Sequence, residues 1–274
     1  MPRVDDRRTG TSQSLERGLA ILSTFAADRE LIGVSELARE LGLTRSTTHR
    51  YVATLARLGY LQQEPVTRKY SLGPRVIDLG FTAINSMELR HVAAPHLQRL
   101  CDETGHTVNM AILDDVDIVY VERFRASRRG QSEIDLDLHV GSRLPAYCTS
   151  MGKALLAFLP DAERDEVLAR VTFARRGPNT LTSKDALLAE LRRVRSAGIA
   201  VNNEELAYGL RSIAVPVLAA SGEAVAAINL AAHRTMASLD DLVARIGPLV
   251  QRTGAEISAQ LGYRAPVPGV RPGR

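Results

Sequence analysis

The segment Ser35–Gly73, SELARELGLTRSTTHRYVATLARLGYLQQEPVTRKYSLG, joins two short helical patterns at a glycine and follows them with a basic hairpin. Ser35 opens a helix that turns Leu37, Ala38 and Leu41 inward, and Gly42 ends it. Thr44 caps a second helix in which Thr48, Val52, Leu55 and Leu58 recur on one face. Its opposite face carries Arg45, Ser46, Thr47, His49, Arg50 and Arg57. The stretch GYLQQEPVTRKYSLG, with Arg68 and Lys69, reads as two strands around a Pro-containing turn. Helix, short turn, polar-faced helix and basic hairpin describe a winged helix-turn-helix. The second helix of such a pair lies in the major groove of DNA, with its N-terminal residues at base edges. Arg45, Ser46, Thr47, His49 and Arg50 occupy that position. Arginine can grip guanine or phosphate, and hydroxyls reach phosphate oxygens. A solvated face on an ordinary three-helix subdomain is the bland alternative.

Charge separates the two. Residues 1–75 carry 12 Lys/Arg against 8 Asp/Glu, which accounts for the whole net charge of +4, whereas residues 76–274 hold 23 of each. From Thr44 to Arg75 six basic residues face one acid, Glu64. A positive field confined to the helix pair and hairpin suits a polyanion such as operator DNA.

Composition narrows the rest. At 274 residues, with 45% hydrophobic and 24% charged residues, the chain can hold one small and one larger globular domain. No apolar run is long enough to span a membrane. The N-terminal fifteen residues have charges and no apolar core, unlike a secretory signal. Cys101 and Cys148 make no disulfide framework, so a cytoplasmic location is expected.

Along the chain, residues 1–13 are polar and expected to be disordered, and 14–73 form the winged helix domain, opened by a helix capped at Ser14. A linker helix covers 74–89. Its Leu79, Phe81, Ile84 and Met87 exceed what a small winged helix can cover, which predicts packing between subunits or against the second domain. Residues 90–261 alternate helical and β-rich stretches: a helix to Thr104, then TVNMAILDDVDIVYVERF and SEIDLDLHVGSRLPAY as strands. The helices TSMGKALLAFL and SKDALLAELRRVRSAG follow, then a strand pair in RSIAVPVLAASGEAVAAINLAAH and a helix from Ser238 to Leu261. This is an α+β sensor module with an antiparallel sheet, and 262–274 is a flexible Pro/Gly-rich tail.

The motifs SLERGLAIL, VSELARELGLTRSTTHRYVATLARLGYL, YSLGPRVIDLG, GSRLPAYCTSMGKALLA and VNNEELAYGLRSIAVPV, in this order over residues 14–261, resemble the IclR-type transcriptional regulators. GSRLPAYCTSMG further resembles the PcaU/PcaR/PobR branch, whose members regulate aromatic-acid breakdown through the β-ketoadipate route. The resemblance implies a winged helix, a linker helix and a GAF-like domain that binds a small organic acid. It also implies homodimers formed through the DNA-binding domains, and often pairs of dimers. It places the effector pocket at Leu144, Tyr147, Cys148, Ser150 and Met151, at Glu204 and Glu205, and at Ser212, Asn229 and Ala231. Asn229 and Ala231 stand where other branches carry small hydroxyl residues, which alters the hydrogen bonding expected at the pocket floor. Protocatechuate, 4-hydroxybenzoate and β-ketoadipate are candidate effectors.

The residues themselves leave choices open. Arg143 can hold a carboxylate through paired hydrogen bonds, or form a surface salt bridge to Asp135 or Asp137. Tyr147 can stack on a ring or pack in the core. Thr149 caps the helix starting at Ser150, whose first-turn amides suit an anion. An enzyme using Cys148 or Ser150 as nucleophile, with His139 beside the cysteine, is the reading from another class. CTSMG lacks the first glycine of a nucleophile elbow, however, and no third group orients His139. Metal binding is no better supported. His91 and His96 lie five apart, His106, His139 and His233 are scattered, and no cofactor motif occurs. A DNA-packing protein without an effector would not need some 180 neutral residues of mixed sheet.

Overall fold

The computed structural model describes residues 11–26, 28–126 and 138–264. The N-terminus before residue 11, the tail beyond 264, residues 132–137 of the expected strand, and with them Asp135 and Asp137, lie outside the described residues. The chain forms two units that divide between Ser86 and Met87.

In the first unit, α1 (Gln13–Leu22), α2 (Val34–Glu40) and α3 (Arg45–Arg57) precede a hairpin of β1 (Leu61–Gln63) and β2 (Tyr70–Leu72), and α4 (Pro74–Asn85) follows. Ser12, not Ser14, caps α1, so the helix begins earlier than its apolar pattern suggests. Likewise α2 starts at Val34, with Gly33 before it. Gly42, at φ +63°, makes the turn into α3, a left-handed backbone that other residues adopt at a cost. Thr44 Oγ1 accepts from the Thr47 amide at 3.2 Å, the expected cap. Ile21, Ile32, Leu37, Val52, Leu61 and Tyr70 form the core. The helical pattern read as continuous over 74–89 stops at Asn85, and a new helix begins at Glu88. Ser86 Oγ donates to the Ala83 carbonyl at 3.0 Å, the kind of local competition that ends helices.

The second unit is built on a six-stranded antiparallel sheet of order β5-β4-β3-β8-β7-β6. Its strands are β3 (Thr107–Asp114), β4 (Asp117–Phe124), β5 (Arg143–Pro145), β6 (Ala200–Asn203), β7 (Leu210–Leu218) and β8 (Ala224–His233). One face packs against α5 (Glu88–Thr104) and the C-terminal helix α10 (Gly247–Gln260) through Leu97, Val108, Ile213, Val215, Ile228 and Ile257. The approach to α10 runs through a short α9 (Leu239–Asp241) and a π-turn at Leu242–Ile246, so the helix expected from Ser238 is not continuous. The other face carries α6 (Ser150–Phe158), α7 (Asp161–Arg170) and α8 (Lys184–Ala197). Both α7 and β6 lie outside the elements expected from sequence.

Helix α6 sits unusually close to its surroundings. A Cβ on Gly152 would stand 2.2 Å from the Ala146 carbonyl oxygen, so the first turn can lie there only as glycine. The next residue, Lys153, is fully buried and reaches Glu205 Oε1 at 2.5 Å and Glu190 Oε1 at 3.5 Å. Burial outweighs the ammonium and raises the Glu205 carboxyl above the usual range. Removing one partner strands the other charge in the interior. Lys153→Met is therefore expected to destabilise the second unit by about 3–5 kcal/mol, and Lys153→Met with Glu205→Leu to recover most of that loss. Urea unfolding followed by circular dichroism measures both. Equal stability of wild type and single variant would show that the pair does not hold α6.

Candidate functional site

Two surfaces gather the residues singled out in the sequence. On the first unit, the N-terminal turn of α3 presents Arg45, Ser46, His49 and Arg50 to solvent, with Thr47 half-buried. Thr44 Oγ1 is a hub, sharing hydrogen bonds with the Ser46 hydroxyl at 3.1 Å and the Thr47 hydroxyl at 2.9 Å. Those hydroxyls are partly engaged within the cap, which leaves Arg45 and His49 as the outward groups nearest the helix start. Arg50 leans the other way, its guanidinium 6.0 Å from the Tyr51 ring centroid. Arg57 is exposed at the far end of the helix.

The hairpin turn is held by Glu64, whose carboxylate accepts from the Val66 and Thr67 amides at 3.1 and 2.5 Å. Those hydrogen bonds lower the Glu64 pKa, so the one acid of the region stays ionised while serving the backbone. Arg68 is exposed in the turn, and Lys69 pairs with Glu36 at 3.3 Å. Beside this face, Leu15, Leu19, Tyr51, Leu58 and Leu79 line an apolar groove of about 700 Å³. Leu15, Leu79 and Phe81 are each more than half exposed.

In the second unit the predicted pocket residues separate into two groups. Ser150, Ser212, Asn229 and Ala231 come together between α6 and the sheet. Ser150 Oγ and Ser212 Oγ are 2.7 Å apart, and Asn229 Oδ1 accepts from Asn109 at 2.8 Å. The register explains the grouping, because Ser212 pairs with Ala231 and Asn109 with Asn229 across neighbouring strands. Met151 and Cys148 are buried beside them.

The other predicted residues are occupied by the fold. Tyr147 donates its hydroxyl to the Ala174 carbonyl at 2.6 Å and meets Phe173 edge-on, so it is a core residue. Glu204 accepts from the Gly209 amide at 3.0 Å and lies near Arg211 and Arg234, fixing the loop before β7. Glu205 belongs to Lys153. Leu144 is half-buried on the edge strand β5. Arg143 is exposed, bound to Asp114 Oδ2 at 2.7 Å and Asp117 Oδ2 at 3.5 Å. Because β5 pairs with the start of β4, the guanidinium lies over the acidic β3–β4 turn, away from the group around Ser150. The surface-bridge reading is therefore the one the geometry matches, with different aspartates. Thr149 caps α6 by accepting from the Gly152 amide at 3.1 Å, which uses one of the first-turn donors proposed for an anion.

Three residues that the sequence reading does not single out lie on the same sheet face. Asn109, Arg123 and Tyr120 sit on β3 and β4, and Arg123 Nη1 donates to Asn109 Oδ1 at 2.9 Å. An asparagine between Val108 and Met110 in an apolar strand was the available signal. The nucleophile reading finds no chemistry here. Burial pushes the Cys148 thiol up to about 11, and His139 shares its hydrogen bonds with Ser142 in an exposed turn. Among the described residues no helix is long and apolar enough to cross a membrane.

Comparison with known proteins bears on both surfaces. The family profile described as the IclR helix-turn-helix domain matches residues 14–65, and that of the bacterial transcriptional regulator IclR C-terminal region matches residues 81–259. The Pca regulon regulatory protein of Pseudomonas putida is 37% identical over 248 residues, covering 90% of this chain and 84% of that protein. Among solved structures, a transcriptional regulator from Rhodococcus sp. RHA1 is 39% identical with a TM-score of 0.77, covering 92% of this chain and 98% of its own. An IclR homologue from Microbacterium hydrocarbonoxydans, solved in complex with 4-hydroxybenzoate, is 27% identical with a TM-score of 0.75, covering 91% of this chain and 99% of its own. With both profiles matched in order, and the winged helix and the α+β second unit each in place, the chain belongs to the IclR family of bacterial transcriptional regulators.

Proposed function

We propose that this regulator binds operator DNA as a homodimer and controls aromatic-acid catabolism in response to a small aromatic acid, in the cytoplasm. The carrying observation is the buried polar patch between α6 and the sheet, where Ser150 of the helix faces Ser212, and Asn109 and Asn229 stand among apolar strand residues. These groups pair with one another, and the hydrogen-bonding capacity left over on the two hydroxyls and on the Asn229 amide can be met by a ligand with polar atoms. The likeness to the Pca regulon regulatory protein and to the homologue that holds 4-hydroxybenzoate supports an aromatic acid over other organic acids. A thermal-shift screen of 4-hydroxybenzoate, protocatechuate, β-ketoadipate and non-aromatic acids tests this. A true effector at 100 times its Kd stabilises the folded state by about 2.7 kcal/mol. Stabilisation by a non-aromatic acid alone would move the protein to another carbon-source pathway.

For DNA, the exposed start of α3 is the reader and the hairpin is the phosphate contact. Arg45→Ala is expected to cost about 1–3 kcal/mol on the operator and to relax sequence preference. Arg68→Ala is expected to weaken binding on all sequences alike and to lower the salt dependence by about one ion. Mobility shifts on operator and scrambled duplexes at two salt concentrations distinguish the two. Unchanged operator binding by a variant lacking both Arg45 and His49 side chains would remove α3 as the recognition helix.

The apolar groove along α1 and α3, bordered by Leu79 of α4, together with the exposed Leu15 and Phe81, is the proposed dimer surface of the DNA-binding unit. Two such units then meet half-sites one or more helical turns apart, each turn about 34 Å. Leu79→Glu with Phe81→Glu is expected to lower operator affinity at least tenfold, because each monomer then holds a single half-site. Light scattering at micromolar concentration and the mobility shift check it together. A dimeric mass with normal DNA affinity in this variant would place the interface elsewhere.

A further inference from the structure

The side chains Arg123, Asn109 and Asn229 form one row straight across three strands, since Asn109 pairs with Arg123 on one side and with Asn229 on the other. Strand alternation puts Asn109 on the face that carries Ala111, Ala214 and Ala227, the face covered by α6. Hydrogen bonds run along the row in one direction. Arg123 Nη1 donates to Asn109 Oδ1 at 2.9 Å, and Asn109 Nδ2 donates to Asn229 Oδ1 at 2.8 Å. A guanidinium has only donors, whereas an amide has both kinds of group. The arginine therefore fixes the sense of Asn109, and Asn109 fixes the sense of Asn229. The row ends in the Asn229 –NH2 group, two donors on a side chain that is 5% exposed. Among the described residues, the bond accepted from Asn109 is the only hydrogen bond of the Asn229 side chain.

A second donor lies in the next register row, where Tyr120 pairs with Ala111. Tyr120 is 4% exposed, and its hydroxyl makes no hydrogen bond among the described residues. Burial pushes its pKa up to about 12, so the phenol keeps its proton at neutral pH. Neither donor atom is sealed off in the core, so both stand open to an acceptor that a ligand brings. Both open groups are donors; Asn229 belongs to the patch already proposed to hold the effector, and Tyr120 stands on the same sheet face.

We propose that Arg123, acting through Asn109, locks Asn229 with its –NH2 group toward the effector, and that Asn229 and Tyr120 together donate to a carboxylate oxygen of that effector. The proposal rests on reading this sheet face as the effector site, and it deepens that reading by naming the group recognised and the residues that set the polarity. Asn229 and Tyr120 contact the ligand, and Arg123 and Asn109 are positioning residues. It assigns the carboxylate to uncharged donors backed by a cation one residue removed, in place of Arg143 at the sheet edge.

Asn109→Asp is the diagnostic change. Its carboxylate still accepts from Arg123 and can no longer donate, so Asn229 must turn its –NH2 toward residue 109 and its carbonyl oxygen toward the effector. The test uses 15N-labelled full-length protein, with the Asn229 side-chain amide identified by its loss in Asn229→Ser, and 4-hydroxybenzoate as the probe. In ligand-free protein, Asn109→Asp is expected to move one Asn229 amide proton downfield as it bonds the new carboxylate. An unmoved signal overturns the relay whatever the effector is. With 4-hydroxybenzoate, the wild-type amide is expected to shift on saturation, and calorimetry to show affinity falling about 30-fold or more in Asn109→Asp. Tyr120→Phe, which leaves the row intact, is expected to lose about tenfold, and it carries the ligand test alone if Asn109→Asp does not fold. Affinity unchanged in both variants overturns the assignment of the carboxylate. Absence of 4-hydroxybenzoate binding to wild type sinks the aromatic-acid reading, while the ligand-free amide shift still decides the relay.

Discussion

The position of α6 on the sheet is set by a charge that has nowhere else to go. Lys153 is fully buried, and its ammonium is tolerable only because Glu205 and Glu190 meet it. Such a pair does little for net stability compared with a hydrophobic replacement, yet it punishes any displacement that separates the partners. Combined with the direct contact of Gly152 on Ala146, it gives the helix one place to sit. Ser150 is three residues from Lys153, so its hydroxyl meets Ser212 because the ammonium anchors the turn beyond it. The polar patch beneath the helix inherits its geometry from that anchor.

The first unit follows a different logic. Its core is small, built around Ile21, Ile32, Leu37, Val52, Leu61 and Tyr70, and local hydroxyl and carboxylate caps carry much of the definition. Thr44 organises the start of α3, and Glu64 organises the hairpin turn, each by accepting hydrogen bonds from backbone amides. Both devices spend polar groups on shape and leave the arginines to face outward. Residues 1–75, which make up most of this unit, hold the whole excess positive charge of the chain, as suits a DNA-binding domain, whereas residues 76–274 balance their charges.

Local features were legible in the sequence, and non-local ones were not. The α2–α3 pair, the Thr44 cap, the hairpin, the turns of the β3–β4 and β7–β8 pairs, and the helices α6 and α8 follow from periodicity and turn residues. Helix α7 did not, because DAERDEVLAR buries only Val167 and Leu168 and has no clear apolar stripe. Strand β6 did not, because four residues containing two asparagines resemble a loop. Of the residues that the resemblance assigns to an effector pocket, Ser150, Ser212 and Asn229 lie on one side of the sheet. Arg143 looked equally suitable in sequence, and its position depends on which strand β5 pairs with. Asn109 and Asn229 lie 120 residues apart, so nothing short of the sheet order could join them. Chemistry visible in one residue becomes a site only when register supplies its neighbours.

The cysteines carry one more consequence. Both are buried, and burial raises both thiols, Cys148 to about 11. Oxidants attack the thiolate, and a thiol with that pKa is ionised in about one molecule in ten thousand at pH 7. With both sulfurs enclosed, neither is the exposed, low-pKa thiolate on which thiol-based peroxide sensing depends.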